Sequence, residues 1–330
     1  MELPYDVRRE EEDGYPVYVL EDRAVRSEAW VVPGIGLNLY RFSIERGDES
    51  IAVIDSPPTL EDLRREPYHY GVPVLFPFPG RIPQGRFTFG GRTYELAKLD
   101  EEGNAIHGLV ASRPWRVIAT GPSGEDGAVL VGRFESPEFS VLAEQYPSAF
   151  RLDLTYRLRA WTLTIEARAE NIGRDPLPIG FGLHPYLRAP LREALTAGGC
   201  VIEVPATRRW ELAGGVPTGR LLPLDEDLAQ GVSLEGRIFD DVYTGLLLTD
   251  GVSRCVMGDT RARLAAVVEA DRQFGQWVVY TPPRPAICFE PWTSLPNAVQ
   301  LQQQGIDAGL IVLEPGGWRC WTVRLVIRNT

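Results

Sequence analysis

The chain has 330 residues, 44% of them hydrophobic, and a formal net charge of −11. Without a basic tract to neutralise phosphates, a nucleic-acid partner is excluded, and no stretch approaches the roughly 20 apolar residues of a membrane span. The charged, acidic start lacks the apolar centre of a signal peptide, so a cytoplasmic protein with no membrane partner is expected.

Four cysteines (Cys200, Cys255, Cys288, Cys320) form no Cys-x-x-Cys pair, which argues against a zinc ribbon or a disulfide framework. Cys288 and Cys320 alternate with apolar residues and read as core thiols. Lys98 is the only lysine. No Gly-Lys-Ser/Thr phosphate loop exists, and Schiff-base chemistry would rest on that one residue.

Taken in order, the chain reads as strands. The run Arg8 to Asp13 changes the sign of its charge midway and is expected in solvent. Short alternating runs follow at 15–20 and 51–54, then a helical turn or two at 60–65. Further runs lie at 86–89, 115–120 and 128–134, with a second short helix at 138–144 opened by Pro137. Residues 149–161 alternate strictly at period two, and 162–170 continue after a tight turn, which predicts a hairpin. The remaining runs are 264–268, 277–280, 287–289 and 318–327. Twenty-seven prolines and 33 glycines are spread evenly and mark no linker. The expectation is one all-β domain over 1–330, a large antiparallel β-sandwich with few short helices.

Three segments dense in Gly and Pro carry residues suited to proton transfer. Gly-Phe-Gly-Leu-His-Pro-Tyr-Leu at 180–187 contains His184, and Asn-Ala-Ile-His-Gly at 104–108 contains His107. Histidine titrates near neutrality, at roughly pH 6.5 when unperturbed. Gly180 and Gly182 suggest close approach of backbone to a ligand. A buried strand-end histidine is the plain alternative for His184, and a turn histidine bonded to backbone is that for His107. His69, among aromatic neighbours, reads as structural or as rim. Separations of 38 and 77 residues between the three histidines contain no close ligand pair, so a metal site is poorly supported.

Glu290 follows Ala-Ile-Cys-Phe and precedes Pro291, where a core strand is expected to emerge. Partial desolvation there would raise its pKa and improve it as a base, whereas a strand-end salt bridge is the plain reading. Asp240 abuts an apolar strand too, although one of two adjacent aspartates is often a turn former. Arg81, in Phe-Pro-Gly-Arg-Ile-Pro, offers fork donors for hydroxyls, against the alternative of one more surface arginine among 33. Trp292 is either an apolar face for a ligand or a core residue.

These segments, with Pro73-Val-Leu-Phe-Pro-Phe-Pro-Gly-Arg-Ile, Phe239-Asp-Asp-Val-Tyr and Val279-Tyr-Thr-Pro, stand in an order that resembles the aldose 1-epimerase (galactose mutarotase-like) family over roughly residues 15–328. The resemblance implies a large antiparallel supersandwich with the site in a cleft on one sheet. It also implies that hexose α and β anomers are interconverted without metal or cofactor. Carried across, it makes Glu290 the general base and His184 the general acid. His107 would bind and polarise the sugar beside its ring oxygen, and Arg81 and Asp240 would hold hydroxyls. Asp240 is chosen over Asp241 because the family's aspartate lies three residues before an aromatic, here Tyr243. The chain departs from the pattern at Gly80, where many members have Asn, so the preferred sugar does not follow. Leu187 replaces a frequent Phe.

Three alternatives remain at this point. A hexose-6-phosphate 1-epimerase would need arginines such as Arg208, Arg209 or Arg284 near the cleft. A non-catalytic sugar-binding or sensor protein would need no matched acid and base. A glycosidase would pair Asp240 with Glu290 and leave His184 without a role. The expected partner is a small sugar, and a monomer or a homodimer is compatible with the sequence.

Overall fold

Period-two alternation places every second side chain on one face of a sheet, and two such faces bury each other. The computed structural model of the chain describes residues 4–97, 99–124, 126–192 and 198–330, so Lys98 lies outside the described residues. These form two large antiparallel sheets, a smaller five-stranded one and three two-stranded pairs. The nine-stranded sheet is centred on the Phe150–Arg159 and Thr162–Asn171 hairpin and the last strand, Trp318–Asn329. Asp240–Thr244, Gln276–Tyr280 and Ala286–Trp292 lie side by side in the eight-stranded sheet, with Gly182–Leu183 on the far side of Ala286–Trp292. A consecutive five-stranded sheet occupies residues 5–52. The fold is thus all-β, and among the described residues the helices are short, the longest being six residues.

The main core lies between the large sheets. Leu152, Leu154, Leu163, Ile165, Val323 and Leu325 come from one, and Tyr243, Trp277, Val279, Ile287 and Phe289 from the other. Residues such as Val279, Ile287 and Phe289 each contribute about 1.5–3 kcal/mol over an exposed state. Leu20, Val31, Phe42 and Ile44 of the five-stranded sheet join the same apolar cluster. Because Trp277, Val279, Ile287 and Phe289 point into this core, the alternate residues of the same strands must point away from it. That outer face carries the site.

Several expectations are corrected. The charged run from Arg8 is exposed or half-exposed, as expected, but it is a strand, Tyr5–Glu12, where Arg8 meets Glu21 on the adjacent strand at 3.3 Å and Glu28 on the strand beyond at 2.8 Å. Cross-strand pairing of opposite charges makes such a run a good sheet edge. Cys288 is buried but Cys320 is exposed, because Trp321, Val323 and Leu325 take the inward parity of their strand. Pro137 sits in a single 3-10 turn, Ser136–Glu138, and the helix beyond it is only Leu142–Gln145. The strand begun at Ala286 does not stop before Glu290; it runs on through Pro291 to Trp292. A further helix, Ala298–Gln303, has no counterpart among the expected elements.

Candidate active site

Strand register assembles the site. Asp240 stands opposite Tyr280, Tyr280 opposite Cys288, and Cys288 opposite Tyr186, so the four share the outer face in one row. One step along, Val242 faces Val278 and Val278 faces Glu290. Asp241 has the opposite parity. It stands opposite the core residue Val279, and its carboxylate meets Arg209 at 3.2 Å. Asp240 therefore shares a face with Glu290 and Asp241 does not.

His184 occupies the break between Gly182–Leu183 and Tyr186–Arg188, where its backbone N–H donates to the Pro73 carbonyl at 3.0 Å. The break turns its imidazole over the outer face, and Nε2 lies 3.2 Å from Glu290 Oε1. Both side chains are buried, at 6% and 2% exposure.

His107 arrives from another direction. The two-residue strands Arg81–Ile82 and Ala105–Ile106 pair, placing Arg81 opposite Ile106 and Gly80 beside His107. Gly80 accepts from the His107 backbone N–H at 2.9 Å and donates its own N–H to His107 Nδ1 at 3.3 Å. An accepting Nδ1 puts the proton of the neutral ring on Nε2, so His107 is set up as an Nε2–H donor. Its ring stands edge-on to His184 at 5.5 Å and to Trp292 at 6.0 Å. Arg81 is held by Asp100 at 3.3 Å, close enough to Asp240 to act on its carboxyl.

Burial dominates the electrostatics. It pushes the Glu290 carboxyl well above the usual carboxylate range; the Asp240 charge adds to this, and the nearby Trp292 indole opposes it without reaching hydrogen-bond geometry. Burial likewise holds the His184 imidazole well below its ordinary value, with His107 adding to the effect. Charge is thus disfavoured on either member, and the two titrate as a coupled pair. The Asp240 carboxyl is also raised, first by loss of water around it; Arg81 pulls it down and Asp241 pushes it up. As a whole residue Asp240 is exposed, and its shift is the weaker of the two carboxylates'.

Three polar atoms around the pair are buried without a hydrogen-bond partner: His184 Nδ1, Glu290 Oε2 and Trp292 Nε1. Unpaired buried groups are costly, about 1–3 kcal/mol each, and are rarely retained without use. The arrangement offers one shared proton, one further acceptor and an N–H donor, beside the His107 donor and the Asp240 carboxylate. It suits a compact ligand rich in hydroxyls.

The six residues expected at the site (Glu290, His184, His107, Arg81, Asp240 and Trp292) are thus brought close to one another. The role foreseen for the two glycines is corrected. A Cβ at Gly182 would stand 2.6 Å from Trp292 Cδ1, and one at Gly180 would strike Ser294. They admit side chains of the protein, and the approach is that of Trp292. His69 is exposed and meets Glu66 at 3.2 Å, outside the cleft. Arg209 is engaged by Asp241, Arg208 lines a separate groove with Trp210 and Gln276, and Arg284 pairs with Asp55 at 2.5 Å. Tyr186 and Tyr280, whose rings lie 4.5 and 6.2 Å from His184, were not foreseen; their parity with Cys288 was the available signal.

The aldose 1-epimerase family profile matches residues 23–325, which includes every residue of this cleft. The chain belongs to that family. A galactose mutarotase-like protein from Clostridium acetobutylicum has the same fold, with a TM-score of 0.87 at 21% identity over 98% of both chains. Among family relatives of Escherichia coli K12, the uncharacterised proteins YihR and YphB are 29% and 28% identical over 164 and 113 residues. Those alignments take in 45% and 34% of this chain, and 50% and 35% of the relatives, so the chain spans half or less of their length.

Proposed function

We propose that the protein is an aldose 1-epimerase that interconverts the α and β anomers of a hexose by ring opening and closure. The observation that carries this reading is the His184–Glu290 pair at 3.2 Å, buried, with a free valence on each partner. A hemiacetal presents two oxygens on one carbon, and opening it requires a base at one and an acid at the other at the same moment. From the state in which the pair's proton sits on His184, Glu290 takes the proton of the anomeric hydroxyl. The C1–O5 bond breaks, its electron pair passes to O5, and His184 protonates O5 while O1 becomes the carbonyl oxygen. After rotation about C1–C2, O5 attacks the other face of C1. His184 then recovers the proton of O5 and Glu290 returns its own to O1, which regenerates the starting pair. The His107 Nε2–H stabilises charge near the ring oxygen. Asp240, Arg81 and Trp292 hold the remaining hydroxyls.

Membership in the aldose 1-epimerase family supports an isomerase over a glycosidase, and the latter would leave His184 unused. The occupied arginines weigh for a hexose without phosphate, since Arg209 and Arg284 already face Asp241 and Asp55. Polarimetry of freshly dissolved α-D-glucose and α-D-galactose tests the reading. Faster approach to equilibrium with the protein is expected, and its loss in Glu290→Gln. No acceleration with either sugar, nor with a hexose 6-phosphate, would leave a sugar-binding protein instead.

A further inference from the structure

A reactive imidazole needs its plane fixed, and the usual device is a hydrogen bond on the nitrogen away from the chemistry. His184 lacks a well-formed one: its own backbone acts weakly on the ring, but Nδ1 has no partner in hydrogen-bond geometry. Its ring instead lies flat on Tyr186, with centroids 4.5 Å apart and planes 5° from parallel. Tyr186 in turn carries the Arg284 guanidinium at 4.9 Å from its centroid, and Tyr70 meets the same guanidinium at 4.5 Å. Arg284 is itself anchored: Nε donates to Asp55 Oδ2 at 2.5 Å and Nη2 to the His69 carbonyl. Two backbone bonds tie the layers together, Tyr186 N–H to the Gly71 carbonyl and Asp55 N–H to the Tyr186 carbonyl, each 2.9 Å. The stack thus runs from an anchored cation through a phenol ring to the imidazole.

We propose that Arg284 is a positioning residue that acts through the Tyr186 ring to hold His184 in the plane from which it meets Glu290. This role presupposes that the pair is the reacting one. A planar guanidinium stacked on an aromatic face restrains both partners, which a lysine ammonium at the same place would not do. The Arg284 charge also acts on His184, after the larger influences of His107 and His69, while His107, Glu290 and Tyr280 face the ring from the 104–108 loop and the two neighbouring strands. Among these Arg284 is the fixed positive charge, and it favours the neutral ring.

With only three histidines in the chain, protein labelled with 13C at histidine Cε1 reports each ring separately. Arg284→Met, Tyr186→Leu and the double variant are compared with the unaltered protein, with native circular dichroism required of each. In Arg284→Met the His184 signal should broaden and its titration midpoint rise, while the His107 signal keeps its position. Anomer interconversion should lose on the order of tenfold in kcat with KM within twofold. The double variant should be no worse than the poorer single one, since both break one chain of contacts. If Arg284→Met fails to fold, Asp55→Asn loosens the anchor with the arginine retained and should shift the same signal by less. An unchanged His184 signal, or additive effects, overturns the proposal. Absence of turnover in the unaltered protein rejects the epimerase reading, and the spectra still decide whether Arg284 orients the ring.

Discussion

His184 Nε2 and Glu290 Oε1 face each other at 3.2 Å with both side chains out of water, one held on a break between strands and the other within the neighbouring strand. Such a pair acts as a unit, so its activity should depend on pH as a bell. As pH falls the pair takes a second proton and the carboxylate is lost as base; as pH rises its single proton is lost and nothing protonates the ring oxygen. Glu290→Gln and His184→Asn should each lower kcat about a hundredfold or more, with sugar binding still measurable by calorimetry. Near-normal turnover in either variant removes that residue from the mechanism.

Glu290 also affects stability. Its carboxyl is raised well above the unfolded value of 4.5, chiefly by burial and next by Asp240. The native state therefore holds the proton more tightly than the unfolded chain. The stabilisation this provides is complete below pH 4.5 and is lost as pH rises through the native pKa. Glutamine has no such titration. Glu290→Gln should melt near the unaltered protein at pH 4 and be the more stable of the two at pH 8. His184 contributes with the opposite sign, since its pKa is lowered, and His184→Asn in both backgrounds separates that contribution from the one of Glu290. Melting curves across this range check the expectation, and a gap independent of pH contradicts it.

Asp240 and Asp241 should separate cleanly. Asp240 shares the face of Glu290, so Asp240→Ala should raise KM on the order of tenfold with little change in melting. Asp241 binds Arg209 on the other face, and Asp241→Ala should leave KM alone while costing about 1 kcal/mol of stability. Equilibrium unfolding beside saturation kinetics decides; the reverse pattern would place the wrong aspartate in the cleft.

Gly80 should tolerate no side chain. Its φ is +65°, and a Cβ would stand 2.5 Å from Pro296 Cγ and 3.0 Å from Trp292 Cζ3. Gly80→Ala should cost about 1–3 kcal/mol. It should also raise KM, because Gly80 carries the two hydrogen bonds that set His107. Unchanged melting and kinetics would show that the loop relaxes freely. The same close packing explains why an asparagine, frequent in the family at this position, has no room here.

Period-two alternation, local in the chain, determined the strands and the Phe150–Arg159 and Thr162–Asn171 hairpin. It also marked which residues of 286–292 are core, since Ile287 and Phe289 alternate with Glu290 and Trp292. The candidate residues were legible because proton-transfer side chains stood in Gly/Pro segments whose order matches a family. Edge strands such as Tyr5–Glu12 were not legible, because their charges are satisfied by neighbours distant in sequence. Nor was the reason for Gly182, which depends on an indole 110 positions away. The choice between Asp240 and Asp241 is physically a matter of parity across strands, and only register decides it. Tertiary structure alone brings His184, Glu290, His107 and the Arg284–Tyr186 stack together, for these contacts join four segments that share no local pattern. Only there does burial shift the His184 and Glu290 titrations toward each other, because desolvation is a property of the assembled cleft and of no residue by itself.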